Sequence, residues 1–236
     1  MRKSFLFLAD GFEEVEALGV VDVLRRGTIE VKTVSISDKK EVTGAHGVPV
    51  VADLLLSDVE EEEAEFLICP GGMPGAKNLG DCTALVQMIQ KHFDKGGYVA
   101  AICAAPALVL SKIKMNKRYT MTCYPGFEEY LPGAEMQPHG VVVDGNVITG
   151  RGPAYAFKFG LAILEQLTSK KVAEEVAAGM LLDEYEKLHY PLHRPVLLSA
   201  RDRAEHFAPG GWKRNPYPDC SPRGIREGKR EGRFFW

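Results

Sequence analysis

The chain has 236 residues, 45% of them hydrophobic, with 29 Lys and Arg against 32 Asp and Glu and a formal charge of -3; that is enough apolar material for one substantial core with room for an extension. The balance excludes the concentrated basic face with which proteins bind nucleic acid or an anionic membrane, and it leaves small or neutral partners. The apolar run Phe5 to Ala9 is too short to span a bilayer and breaks at Asp10-Gly11 rather than at a small-residue cleavage site, so a cytoplasmic protein is expected.

In chain order, Ser4 to Ala9 reads as a buried strand. After Asp10-Gly11 the apolar positions Val15, Leu18, Val21, Val23 and Leu24 take up helical spacing to Arg26. Ile29 to Ile36 is a second β-branched strand, Val48 to Ala52 a short extended piece, and Phe66 to Cys69 a buried strand cut by Pro70-Gly71-Gly72. A helix is predicted over Ala84 to Phe93. Tyr98 to Ile102 is strand-like again and stops at Cys103, where Ala104 to Leu110 suits a helix starting at the cysteine. Tyr119 to Cys123 reads as a strand, and Val141 to Thr149 as a hairpin turning at Asp144-Gly145-Asn146. Ala154 to Leu167 and Lys170 to Met180 read as two closing helices.

This alternation predicts an α/β fold with a mostly parallel sheet covered on both faces, over residues 1–182. The ligand crevice of such a sheet lies beyond the carboxyl ends of its strands, so the loops at Asp10-Gly11, Gly71-Gly72 and Cys103 should gather there. Residues 183–236 are rich in Pro, Gly and Arg and lose periodicity. They are expected to be a disordered or loosely docked extension, with Phe207, Trp212, Tyr217 and Phe234 to Trp236 as possible docking points and no identifiable partner.

Five cysteines, Cys69, Cys82, Cys103, Cys123 and Cys220, form no C-x-x-C pair and have no histidine at ligand spacing. Reduced, separate thiols are predicted, with neither a disulfide framework nor a metal site. Cys103 is the sharpest of them. A tight strand-to-helix turn would lift its side chain above the sheet over a helix N-terminus, and amides of Ala104 and the Gly71-Gly72 loop could hold an oxyanion at the same point. A small, inert, buried cysteine is the competing reading of the same residue. Glu16 falls near the inward stripe of Val15 and Leu18, where burial would keep its carboxyl protonated, able to donate to a thiolate and to act as general acid and base. Glu13 and Glu14 are expected to face water and complement the helix dipole. Cys69 reads as packing, and His139 as solvent-facing.

Four motifs, Asp10-Gly-Phe-Glu-Glu-Val-Glu16, Cys69-Pro-Gly-Gly72 with Leu79 beyond it, Ala100-Ala-Ile-Cys-Ala-Ala-Pro106 and Gly150-Arg-Gly-Pro153, resemble in order and spacing the ThiJ/PfpI superfamily. The likeness covers about residues 3–182 and is strongest to the subfamily of the Parkinson-disease protein and its bacterial relatives. It implies a flavodoxin-like sandwich, usually a homodimer, with no cofactor and an oxidation-prone cysteine on a nucleophile elbow. The elbow cysteine then corresponds to Cys103, its hydrogen-bonded glutamate to Glu16, the oxyanion donors to the amides of Gly72 and Ala104, and the pocket arginine to Arg151, with Gly71, Pro153, Tyr124, Cys123 and His46 around them.

Family activities implied by the resemblance are glutathione-independent glyoxalase chemistry on small 2-oxoaldehydes, deglycation, redox-dependent chaperoning and, in some branches, peptidase activity. Hydrolase branches place a histidine directly after the cysteine, where this chain has Ala104, so peptidase activity lacks its base. Tyr124 stands where some members bring a histidine near the sulfur, and His46 where the Parkinson-disease relative has an anion-binding arginine. The expected activity is thus glyoxalase III or deglycase chemistry, with redox sensing or chaperoning through Cys103 as the alternative.

Overall fold

The computed structural model describes residues 3–59 and 64–182; the expectations for residues 183–236, including the aromatic docking points, lie outside the described residues. The core is a seven-stranded sheet. Strand β1 (Lys3–Leu8) runs into α1 (Glu14–Arg26) and returns through β2 (Val31–Ser35). A short hairpin follows, β3 (Glu41–Thr43) and β4 (Pro49–Val51), then the two-residue β5 (Leu54–Leu55) and β6 (Ala64–Cys69). Helices α2 (Gly75–Asp81) and α3 (Thr83–Asp94) lead to β7 (Tyr98–Ile102) and the single-turn α4 (Ala105–Leu108). Beyond them lie β8 (Thr120–Met121), β9 (Glu135–Met136), the hairpin β10 (Val141–Asp144) and β11 (Val147–Gly150), then α5 (Ala156–Leu167) and α6 (Lys170–Gly179).

The sheet order is β10-β11-β7-β6-β1-β2-β5, parallel throughout except for the terminal β10–β11 hairpin. Four successive residues of β1, Phe5 to Leu8, are essentially inaccessible. Since successive side chains point to opposite faces, both faces are covered, as the unbroken apolar run requires. The helices do this in two sets: α1, α5 and α6 pack together, and α2, α3 and α4 pack together. Chain order reverses at β1, with β2 on one side and β6 then β7 on the other. This is the switch point beyond whose carboxyl ends a crevice forms.

Several expectations need correction. Val15 and Leu18 are exposed rather than inward (47% and 38%), and the buried residues of α1 are Glu14, Glu16, Ala17, Val20, Val21, Val23 and Leu24. Strand structure at Tyr119 to Cys123 shrinks to Thr120–Met121, paired in parallel with β9 outside the main sheet. The helix from Cys103 is only four residues of α-helix, followed by a 3-10 turn at Leu110–Lys112. Helix α2, unanticipated, fits because Gly80 lies against the Leu108 carbonyl of α4, where any Cβ would collide.

Candidate active site

Three adjacent strands deliver the site. Strand β1 leads to the head of α1 and Glu16, β6 to Gly71 and Gly72, and β7 to Cys103. The Cys103 backbone sits at φ +64, in the left-handed region that costs a non-glycine residue about 1–2 kcal/mol. The strain is held in place on both sides of the residue: Cys103 N–H donates to the Gly150 carbonyl of β11 at 2.8 Å, and the Cys103 carbonyl accepts from Tyr124 N–H at 2.8 Å. A residue so fixed is a recognised mark of a functional turn.

The Cys103 sulfur and the Glu16 carboxyl meet at Gly71, where a Cβ would lie 3.1 Å from Cys103 Sγ and 2.6 Å from Glu16 Oε2, and the amides of Gly72 and Ala104 favour the ionised sulfur. Glu16 is fully buried. Its Oε2 accepts from Gly71 N–H at 2.7 Å, while Oε1 is buried without a hydrogen-bond partner of its own among the described residues. Burial, reinforced by the Glu13 carboxylate, raises Glu16 to about 8, so it carries its proton at neutral pH. Gly71 is required by this packing, because a Cβ there would lie 2.6 Å from both Glu16 Oε2 and Cys103 Cβ.

The thiol itself departs from expectation. Burial first, and then the Glu16 carboxyl, push Cys103 well above the ordinary cysteine range, and the two amides only partly offset them. A sulfur made anionic by amide dipoles is therefore not the resting state: α4 is a single turn and contributes little macrodipole, and Cys103 is only 2% exposed. Burial thus raises both members of the pair, favouring the proton-bearing form of each.

Around this pair, the Tyr124 ring packs over Gly152, which places the Arg151-Gly152-Pro153 segment beside the elbow. Arg151 is held by its Nη1, which donates to the Pro138 carbonyl at 2.6 Å, and Pro153 opens a 3-10 turn into α5. Cys123 is buried, its thiol pushed up to about 12 by burial and then by Glu128; its sulfur lies 3.5 Å from the Tyr124 carbonyl. Cys69 is likewise pushed up to about 12 by burial alone, in line with a packing role. His139 is exposed.

Glu13 and Glu14 do not face water. Glu13 is buried and caps α1, its Oε2 accepting from Glu16 N–H at 2.6 Å. Glu14 is buried too and accepts from His46 twice, from N–H at 2.8 Å and opposite Nδ1 at 2.7 Å. These bonds outweigh the upward effect of burial and hold Glu14 below the usual carboxylate range. Side-chain ligand atoms of Glu13, Glu14 and His46 come within 4.8 Å of one another. Both Glu14 oxygens are engaged by His46 and Glu13 Oε2 by the helix, so the cluster is a hydrogen-bonded clasp, and no metal is assigned to it. The sequence signal for the Glu13 cap was present in the spacing of three between Glu13 and Glu16 at a helix start.

The fold is a mostly parallel α/β sheet that carries, beyond its central strands, a cysteine on a strained strand-to-helix turn beside a buried glutamate. The chain belongs to the DJ-1/PfpI family, whose model matches residues 2–166. It is 36% identical over 190 residues to protein DJ-1 homolog B of Arabidopsis thaliana, covering 78% of this chain and 43% of that protein; the chain thus spans less than half the length of that relative. It is 33% identical over 170 residues to the glutathione-independent glyoxalase DJR-1.2 of Caenorhabditis elegans, covering 70% of this chain and 89% of that protein. Among solved structures, oxidised DJ-1 of Toxoplasma gondii superposes with a TM-score of 0.72 at 36% identity, over 77% of this chain and 98% of that one. Among the described residues no helix is long and apolar enough to cross a membrane.

Proposed function

We propose that the protein is a cysteine-dependent, cofactor-free enzyme of the glyoxalase III or deglycase type, acting on methylglyoxal-like 2-oxoaldehydes or their adducts. The observation that carries this reading is the meeting of Cys103 and Glu16 at Gly71, where a Cβ would lie 3.1 Å from the sulfur and 2.6 Å from Glu16 Oε2. The name of the Caenorhabditis relative supports it.

In the proposed cycle Cys103 Sγ adds to the aldehyde carbon. A C–S bond forms, the thiol proton passes by way of Glu16 to the former carbonyl oxygen, and the amides hold that oxygen while it is charged. Glu16 then works through both carboxyl oxygens: it gives its proton to the neighbouring ketone oxygen as it takes the proton from the same carbon, forming an enediol, and next gives a proton to the neighbouring carbon as it takes the proton of the first hydroxyl, leaving a thioester and the neutral acid. Water cleaves the C–S bond, giving a 2-hydroxy acid and the free thiol. The sum is aldehyde plus water to hydroxy acid, with one carbon oxidised and its neighbour reduced. Attack of the same thiol on a glycated amine or thiol adduct is deglycation. Purified protein assayed with methylglyoxal tests this: turnover lost in Cys103→Ser and Glu16→Gln is expected, and an inactive native protein sinks it.

A second reading is favoured by Glu16 keeping its proton to about pH 8. Peroxide takes the thiol to sulfinate with two equivalents of oxidant reduced to water, and a neutral acid can donate to the product oxygens, as a redox sensor or chaperone requires. Intact mass after mild peroxide, read beside suppression of client aggregation, separates the two readings.

The assembly proposed is a homodimer. Val15 and Leu18 on α1 and Val48 and Val51 around the β3–β4 hairpin are exposed apolar side chains, on elements joined by the Glu14–His46 clasp. Residues 1–182 are proposed as the functional body, a chain ending at Leu182 being expected to keep its fold and Cys103 reactivity. Cys69, Cys82, Cys103 and Cys123 are all free thiols, which suits a reducing compartment such as the cytoplasm.

A further inference from the structure

We propose that Glu13 is a positioning residue of this site, acting through Glu16: it clamps that acid against the Gly71 loop beside Cys103 and sets a second carboxyl one helical turn from it. The proposal deepens the reading of Cys103 and Glu16 as the reacting pair.

The geometry is a closed ring of three hydrogen bonds. Glu13 N–H donates to the Gly71 carbonyl at 3.0 Å, Gly71 N–H donates to Glu16 Oε2 at 2.7 Å, and Glu16 N–H donates to Glu13 Oε2 at 2.6 Å. In an ordinary capping box the residue at the third helical position would send its side chain back to the cap N–H. Here Gly71 is inserted between the two. The Glu16 carboxyl is thereby released from helix capping and turned to the thiol, while the cap itself stays closed. The clamp has no slack: Gly72 packs so closely on Glu13 N that a side chain there has no room, and Ala17 N–H donates to the Glu13 carbonyl at 3.1 Å.

The electrostatics follow from this placement. Glu13 is buried and lies one helical turn from Glu16, so two ionised carboxylates would repel across a poorly solvated gap. The groups facing Glu16 are few. The elbow contributes Cys103, the loop after β6 contributes the Gly71 amide, and its own helix contributes Glu13. Glu14 is occupied by His46 from the β3–β4 turn, and α5, packed along α1, meets it at Gly19 with the apolar Ala156 and Phe157. Glu13 is therefore the charge that opposes ionisation of Glu16, in the same direction as its burial.

The test is a carboxyl titration by NMR of protein carrying carbon-13 at glutamate side chains, the Glu16 resonance being identified by its loss in Glu16→Gln. Glu13→Gln keeps the size and the acceptor for Glu16 N–H and removes the charge; Glu13→Ser is a second uncharged cap. The Glu16 midpoint is expected to fall by about one pH unit in both variants, and the pH limb of kcat/KM on methylglyoxal to move with it. A cap with a merely structural role would leave the midpoint where it is in the native chain, and that result, or an upward shift, overturns the proposal. Absence of methylglyoxal turnover in the native protein, with the midpoint still displaced by Glu13→Gln, sinks the glyoxalase reading and leaves the role of Glu13 standing.

Discussion

The Gly71 amide donates to Glu16 Oε2 at 2.7 Å, and a methyl group on the same Gly71 would lie 2.6 Å from that oxygen. Position 71 is thus both the tether of the acid and the gap into which acid and sulfur fit. Gly71→Ala is expected to lower stability by about 1–3 kcal/mol through overpacking, and to cut methylglyoxal turnover by about 100-fold by displacing the reacting pair. Chemical denaturation and steady-state kinetics check the two halves; native turnover in a folded Gly71→Ala protein would contradict the packing described.

Strain at the elbow has its own signature. Glycine is ordinarily about 0.5–1 kcal/mol worse than alanine inside a regular element, yet at φ +64 only glycine is free of the steric cost. Cys103→Gly is expected to be more stable than Cys103→Ala by about 1 kcal/mol, measured by urea unfolding, with both proteins inactive. The usual order of the two would show that the left-handed turn is not held under strain.

Stability should depend on pH through Glu16. Its folded value is raised, so the stabilisation is fully present below the unfolded value of 4.5 and is lost as pH rises through about 8, because the unfolded chain ionises first. The loss amounts to roughly 3–5 kcal/mol across that window. Glu16→Gln, neutral at every pH, is expected to flatten this slope while other ionisations remain. Thermal melts of both proteins from pH 4 to 9 give the comparison, and parallel curves would contradict a buried, proton-holding Glu16.

The exposed valines offer a test of assembly. Val51 is 70% exposed and Val15 47%. The double substitution Val15→Asp with Val51→Asp is expected to convert a dimer to a folded monomer by light scattering, since carboxylates in an apolar contact are left unpaired. A native protein that is already monomeric removes the dimer proposal.

Much of the frame was legible because its signals are local. β1, β6 and β7 carry the apolar runs Phe5 to Leu8, Phe66 to Cys69 and Val99 to Ile102, ended by Asp-Gly, Pro-Gly-Gly and a cysteine before a proline-bearing turn, and a doubly covered sheet makes such runs. Helix α2 was not legible: Gly75 to Asp81 holds two glycines and has no apolar stripe, and it is helical because α4 packs onto it. Val15 and Leu18 misled because an apolar stripe has the same spacing whether it meets a core or another surface. In the candidate site, the burial of Glu16 and the turn at Cys103 could be anticipated from the motifs. The Glu13–Gly71–Glu16 ring could not, since it depends on a contact between residues far apart in the chain. The raised thiol was missed for the same reason: it reflects how completely the fold encloses Cys103, which no short window of sequence contains.

The order β7-β6-β1 at the centre of the sheet has a consequence for how reactivity arises. Cysteine, loop and acid come from three segments that become neighbours only when the long-range parallel pairings are complete. A chain with any one of those pairings open has an unremarkable thiol in water and a glutamate that ionises like any other. The buried thiol and the proton-holding acid are therefore properties of the finished fold, and in a half-assembled copy the sulfur is an ordinary exposed thiol with no acid beside it.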